Sequence, residues 1–110
     1  MKSIDEGVIG ELEMLLGDDV GELFDTFRRE SQDQLESLTT LLSSEDRDGL
    51  RRMAHSLKGS ASNLGATSLS GFCESIENEA LNGTLDDLED YLQQVRLEHT
   101  QFLQILDERC

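Results

Sequence analysis

Apolar residues return at intervals of three and four along almost the whole chain, and this spacing constrains the fold more than any other feature. Five stripes follow one another. They run Ile4, Val8/Ile9, Leu12, Leu15/Leu16; then Val20, Leu23/Phe24, Phe27, Ser31, Gln34/Leu35, Leu38, Leu41/Leu42; then Leu50, Met53/Ala54, Leu57, Ala61, Leu64. Ala66, Leu69, Phe72/Cys73, Ile76, Ala80 make the fourth, and Leu85, Leu88, Leu92, Val95, His99, Phe102/Leu103, Leu106 the last. Each reads as the buried face of a helix. There is no proline to break them and no β alternation of useful length.

The punctuation between the stripes is short: Gly17, Ser43-Ser44-Glu45-Asp46, Asn63-Leu64-Gly65 and Asn82-Gly83. Connections this brief make successive helices antiparallel neighbours. The expected fold is therefore all-α, an up-down-up-down four-helix bundle with a short additional N-terminal helix lying as a lid across one end. The helix from about Val20 to Leu42 would be about 35 Å long. Ser3 with Glu6 has the form of a capping box, and Asp18 or Asp19, Asp46, Thr67 or Ser68, and Thr84 with Asp87 are the expected caps of the later helices. Gly65 suits the left-handed position after a helix. With 110 residues there is room for one core, so a single domain over residues 1–110 is expected, and Met1 with this length points to a free-standing protein.

Charge and composition exclude several functions. Nine basic against 24 acidic residues give a formal charge of −15, a surface that repels nucleic-acid backbones and anionic lipid. No segment approaches the roughly 18 to 20 continuous apolar residues of a membrane span, and no secretory leader opens the chain, so a cytoplasmic protein is expected. Cys73 and Cys110 form no pattern and give no metal site. Cys73, within a stripe, reads as core filler; His99, also within one, reads as a partly buried, hydrogen-bonded histidine. No glycine-rich phosphate loop is present, and no cofactor or resident metal is expected.

His55 stands apart. It lies off its helix's apolar stripe, with Lys58 and Gly59 one turn on, so an imidazole, an ammonium and a missing side chain share one patch. Glycine inside a helix costs on the order of 1 kcal/mol relative to alanine, so the gap calls for a use. The residues three and four away are Arg51, Arg52, Lys58 and Gly59, which argues against a cation site and for an anion. If the exposed Nε2 attacks a phosphoryl group, Lys58 can neutralise charge on its oxygens while Gly59 leaves room for a partner. Such attack needs the proton on Nδ1, held by an acceptor such as an acidic residue of the following helix.

The run His55-Ser56-Leu57-Lys58-Gly59-Ser60-Ala61-Ser62-Asn63-Leu64-Gly65-Ala66, followed by Leu69, Cys73 and Glu77, resembles the histidine-containing phosphotransfer (HPt) domains of two-component phosphorelays. The likeness extends over the whole chain, from Ile4-Asp5 through Gly17-Asp18 and Asp46 to the final helix. It implies a helical bundle that accepts a phosphoryl group from a receiver-domain aspartate and passes it to another or returns it, a phosphocarrier without autokinase activity. It implies that His55 is the phosphorylated histidine, Lys58 the basic residue beside the phosphate, and Gly59 the small residue that admits the receiver. Glu77 falls where the family places a carboxylate or amide that holds the ring Nδ1.

Ser56 and Ser62 are small enough for a docking surface, and Arg51 or Arg52 could steer an acidic receiver site. Implied partners are response-regulator receiver domains and a hybrid sensor histidine kinase, met by a monomer. Mg²⁺ is expected on the receiver. The resemblance departs at Ala80-Leu81-Asn82-Gly83-Thr84, which lacks a basic residue often found there, and in the strength of the negative charge. The competing reading is a helical interaction module that binds a receiver or kinase without carrying phosphate; it has no use for the His55/Lys58 pair.

Overall fold

The computed structural model describes residues 4–109, and every regular element among them is helical. The helices are α1 (Glu6–Leu16), α2 (Val20–Ser43), α3 (Arg47–Asn63), α4 (Thr67–Asn82) and α5 (Leu88–Arg109), with a single 3-10 turn at Gly17–Asp19. Helices α2 to α5 form the up-down-up-down bundle: α3 packs on α2 and most extensively on α4, α4 on α5, and α5 closes the ring against α2. The short α1 caps one end. Its leading residue Asp5 donates its N–H to the Gly65 carbonyl at 2.7 Å, and its Glu13 pairs with Arg109 near the end of α5.

The predicted stripes are the core. Phe24, Leu38, Leu50, Leu57, Leu69, Ile76, Leu92, Val95 and Leu106 are almost wholly buried. Each such side chain contributes on the order of 1.5–3 kcal/mol by leaving water, so packing rather than propensity holds the bundle. No helix of the described residues is long and apolar enough to cross a membrane.

Two turns set the position of α3. Asp46 caps it as expected, accepting from the Gly49 N–H at 2.9 Å. A Cβ on Gly49 would lie 2.7 Å from a Leu41 methyl, so glycine there lets α2 and α3 approach closely. At the other end Gly65 takes φ 79°, with its N–H on the Ser62 carbonyl (3.0 Å) and the Ala66 N–H on that of Ala61 (2.9 Å). This is a Schellman closure. The α2–α3 turn closes the same way on a residue that is not glycine, Glu45 at φ 54°.

The side-chain caps expected for α2 and α4 are not formed, for one shared reason. The cap of α1 is Asp5, which accepts from the Gly7 and Val8 N–H groups; Ser3 lies outside the described residues. Neither Asp18 nor Asp19 caps α2, because the 3-10 turn runs directly into that helix. Ala66 holds the N-cap place of α4 without a side-chain bond, and Thr67 is its first residue, with its N–H on the Gly65 carbonyl at 3.0 Å. Thr84 accepts from the Asp86 N–H at 3.3 Å in a turn that keeps Leu85 outside α5. Where a tight turn already satisfies amide groups at a helix start, a polar side chain is not needed there.

Candidate functional site

α3 buries Leu50, Ala54, Leu57 and Ala61, which turns His55 outward with 66% of its side chain exposed. The Gly65 turn folds α4 back along α3 and brings Glu77 beneath the imidazole. Oε2 of Glu77 lies 2.8 Å from His55 Nδ1, and Oε1 lies 2.7 Å from Lys58 Nζ. One carboxylate therefore holds both residues. Glu77 is 17% and Lys58 26% exposed, so the ion pair is sheltered below an open ring.

An ionised carboxylate can only accept, so the nitrogen facing it carries the hydrogen and Nε2 keeps the lone pair. Charge keeps Glu77 ionised: the Lys58 hydrogen bond, the largest influence, holds its carboxyl below the usual range; burial, the next largest, pushes the other way, and the His55 hydrogen bond adds to the lowering. In return the Glu77 hydrogen bond raises the Lys58 ammonium above its ordinary value. The chemical capability is a nucleophilic nitrogen at the surface with its tautomer fixed and a cation one turn away.

Gly59 completes this face. It is exposed, and a Cβ built there would meet no atom within 4 Å. Packing between helices therefore does not account for the missing side chain. Ser62 lies further along and shares a hydrogen bond with Ser70 of α4 at 2.6 Å. Arg51 and Arg52 are not joined to the His55–Glu77 pair; both are paired with Asp48, at 2.9 and 3.2 Å. Their spacing of three and four residues from Asp48 is the sequence signal for these pairs.

On the other flank of His55, a groove between α2 and α3 is lined by Leu41, Asp46, Gly49, Arg52, Met53 and Ser56. It continues along α2 past Asp33, Glu36, Ser37 and Thr40. Of the apolar α2 residues, Phe24, Phe27 and Leu38 are buried, and Leu41 reaches this groove. Met53 joins it from α3. Ser56 thus faces this groove, while Ser62 is tied to α4.

The remaining chemistry-bearing residues are internal. Cys73 is fully buried and unpaired, and burial pushes its thiol up to about 12. His99 is 4% exposed, its Nε2 is 2.7 Å from Ser31 Oγ, and Phe27 lies beside it at a ring separation of 6.3 Å. Among the described residues, no group of three His, Cys, Asp or Glu side chains could hold a metal ion.

Comparison with known proteins accords with this geometry. The family model for the Hpt domain matches residues 22–105. The chain belongs to the Hpt domain family. Its structure is similar to the crystal structure of histidine-containing phosphotransfer protein B (HptB) from Pseudomonas aeruginosa PAO1, at a TM-score of 0.94 and 32% sequence identity. The match covers 97% of this chain and 93% of that one. No curated protein matches the chain. This Hpt domain is a phosphorelay intermediate that transfers phosphate through a histidine, a phosphocarrier and not an autokinase. Hpt domains as a family interact with receiver domains and hybrid kinases.

Proposed function

We propose that His55 Nε2 is the atom that carries the phosphoryl group, and that all 110 residues serve as one phosphotransfer domain of the cytoplasm, working as a monomer. The observation that carries this reading is the shared Glu77 carboxylate, which fixes the Nδ1–H tautomer of an exposed ring and tethers Lys58 beside it. His99 has no comparable opening.

In the forward step the Nε2 lone pair attacks phosphorus of an aspartyl phosphate. The N–P bond forms as the P–O bond to aspartate breaks, and the carboxylate leaves with the electron pair. The ring then carries positive charge, its proton retained on Nδ1 and donated in a hydrogen bond to Glu77. In the reverse step a receiver aspartate attacks phosphorus and the N–P pair returns to Nε2. Lys58 can turn from Glu77 to the phosphoryl oxygens and neutralise charge there. Mg²⁺ belongs to the acidic pocket of the receiver, so Lys58 is the cation this chain supplies.

Gly59 leaves the approach open, and Leu41 with Met53 offers an apolar contact beside it. Arg51 and Arg52 favour an acidic partner surface, and Ser56 and Ser62 form small-residue parts of the rim. Response-regulator receivers and the receiver of a hybrid sensor kinase fit this face, through a modest and transient contact.

The test is transfer of labelled phosphate from an aspartyl-phosphorylated receiver. Wild type is expected to take up acid-labile, base-stable label and His55→Gln none. Lys58→Ala should transfer more slowly, on the order of a hundredfold, with folding intact. Label on His55→Gln, or none on wild type with several cognate receivers, would overturn the proposal and favour a phosphate-free interaction module.

A further inference from the structure

Glu77 touches the ring with one oxygen and Lys58 with the other. We infer that the Glu77 carboxylate keeps the Nδ1 proton on the phosphorylated ring, so that His55 leaves phosphorus as neutral imidazole and stays ready for transfer. This rests on the reading of His55 as the phosphoacceptor. An N-phosphorylated ring that loses its Nδ1 proton must leave as an imidazolate, a far poorer leaving group. Whichever group controls that proton therefore controls how readily the phosphoryl moves on.

The charges around the ring favour retention. On its own helix, Arg51 and Arg52 would push the proton off, but both are engaged by Asp48. Lys58, the nearest cation, is bonded to Glu77 in the free protein and is drawn toward the phosphoryl oxygens once they arrive. From α4 the ring faces Glu77, and Glu74 stands close enough to act on Lys58. From α2, Asp33 and Glu36 border the adjoining groove at Met53. Lys58's departure leaves the whole charge of Glu77 on an imidazolium at hydrogen-bond distance, where an opposite charge stabilises the protonated form. A neutral amide in the same place would orient the ring equally well but would lack that charge. The role assigned to Glu77 is positioning with control of a proton, and it involves no covalent step of its own.

The full chain and its Glu77→Gln variant are phosphorylated with phosphoramidate, a small donor that needs no docking surface. Loss of the phosphohistidine ³¹P signal and the ¹⁵N shift of His55 Nδ1 are followed from about pH 5 to about pH 10. The wild-type inflection is expected about 1–3 pH units more alkaline than that of Glu77→Gln. Between the two inflections wild type should release phosphate at least about tenfold faster. Coincident profiles from two labelled, folded proteins overturn the inference and leave the phosphoacceptor reading intact. Should the variant fail to fold, the wild-type ring is titrated against a phosphorylated peptide of residues 53–57, and an unshifted inflection overturns it equally. A wild-type chain that takes no label on His55 brings down the phosphoacceptor reading and this inference together.

Discussion

Both histidines of the chain sit on helices, and they show how little the residue type decides alone. His55 is 66% exposed in its side chain, bonded through Nδ1 to a carboxylate, with an ammonium one turn away. His99 is 4% exposed, bonded through Nε2 to a serine hydroxyl and flanked by Phe27. In the first, the nitrogen that a phosphoryl group would use is left open. In the second, that same nitrogen is already bonded and lies inside. The Ser31 hydroxyl also bonds to the Arg28 carbonyl at 3.3 Å, so the buried pair is part of how α2 meets α5. One imidazole is placed to react and the other to pack.

Blocking access is the strongest way to sharpen this contrast. Tyrosine at Gly59 would meet no atom of the chain at its Cβ, so the helix should tolerate it. Transfer from a phosphorylated receiver is expected to fall about a hundredfold or more, because the reacting atoms can no longer reach in-line distance. Labelling by phosphoramidate should continue. An equal fall with both donors would show that the tyrosine disturbs the imidazole itself.

A smaller effect is expected inside the bundle. Ser31→Ala leaves the His99 Nε2 without its partner in a buried site, a loss of about 1–3 kcal/mol of stability. Urea unfolding measures it, and the initial rate of His55 labelling should stay unchanged. A labelling rate that falls with stability would mean that the two histidines are coupled through α2.

The fold was largely legible because its determinants are local and repeated. Helical periodicity marks every buried face, and turns as short as Asn63-Leu64-Gly65 leave antiparallel packing as the available answer. What escaped were contacts whose partners are distant in sequence, or groups that the backbone satisfied first. The absence of a side-chain cap on α4 follows from the Gly65 closure, and Glu45 gives no composition signal for its left-handed turn. At the site, His55, Lys58 and Gly59 lie within one helical turn and could be read directly. Glu77 needed the pairing of α3 with α4, and only the family resemblance pointed to it. That Lys58 is itself bonded to Glu77 in the free protein was not legible. The stripe suggested a buried His99, but register between α2 and α5 decides that Ser31 meets it.

The smallest effect is a pH dependence that belongs to the buried histidine. Burial first, and the charge of Arg28 second, lower the proton affinity of His99 below its ordinary value. The unfolded chain therefore binds more protons at this residue than the folded one between the ordinary value, about 6.5, and the depressed one. Stability must fall as the pH drops through that window, by at most about 1.4 kcal/mol per pH unit, and the loss levels off below the folded value. The carboxyls of Glu77 and Asp48, both held below their ordinary range, act in the same direction but lower down: their stabilisation is lost only as the pH falls below about 4. The two windows are separable. Urea midpoints for wild type and His99→Gln, compared between about pH 7.5 and about pH 5.5, should show a shallower slope in the variant. Equal slopes would mean that His99 takes up its proton without leaving the core, and that the contrast with His55 is one of access alone.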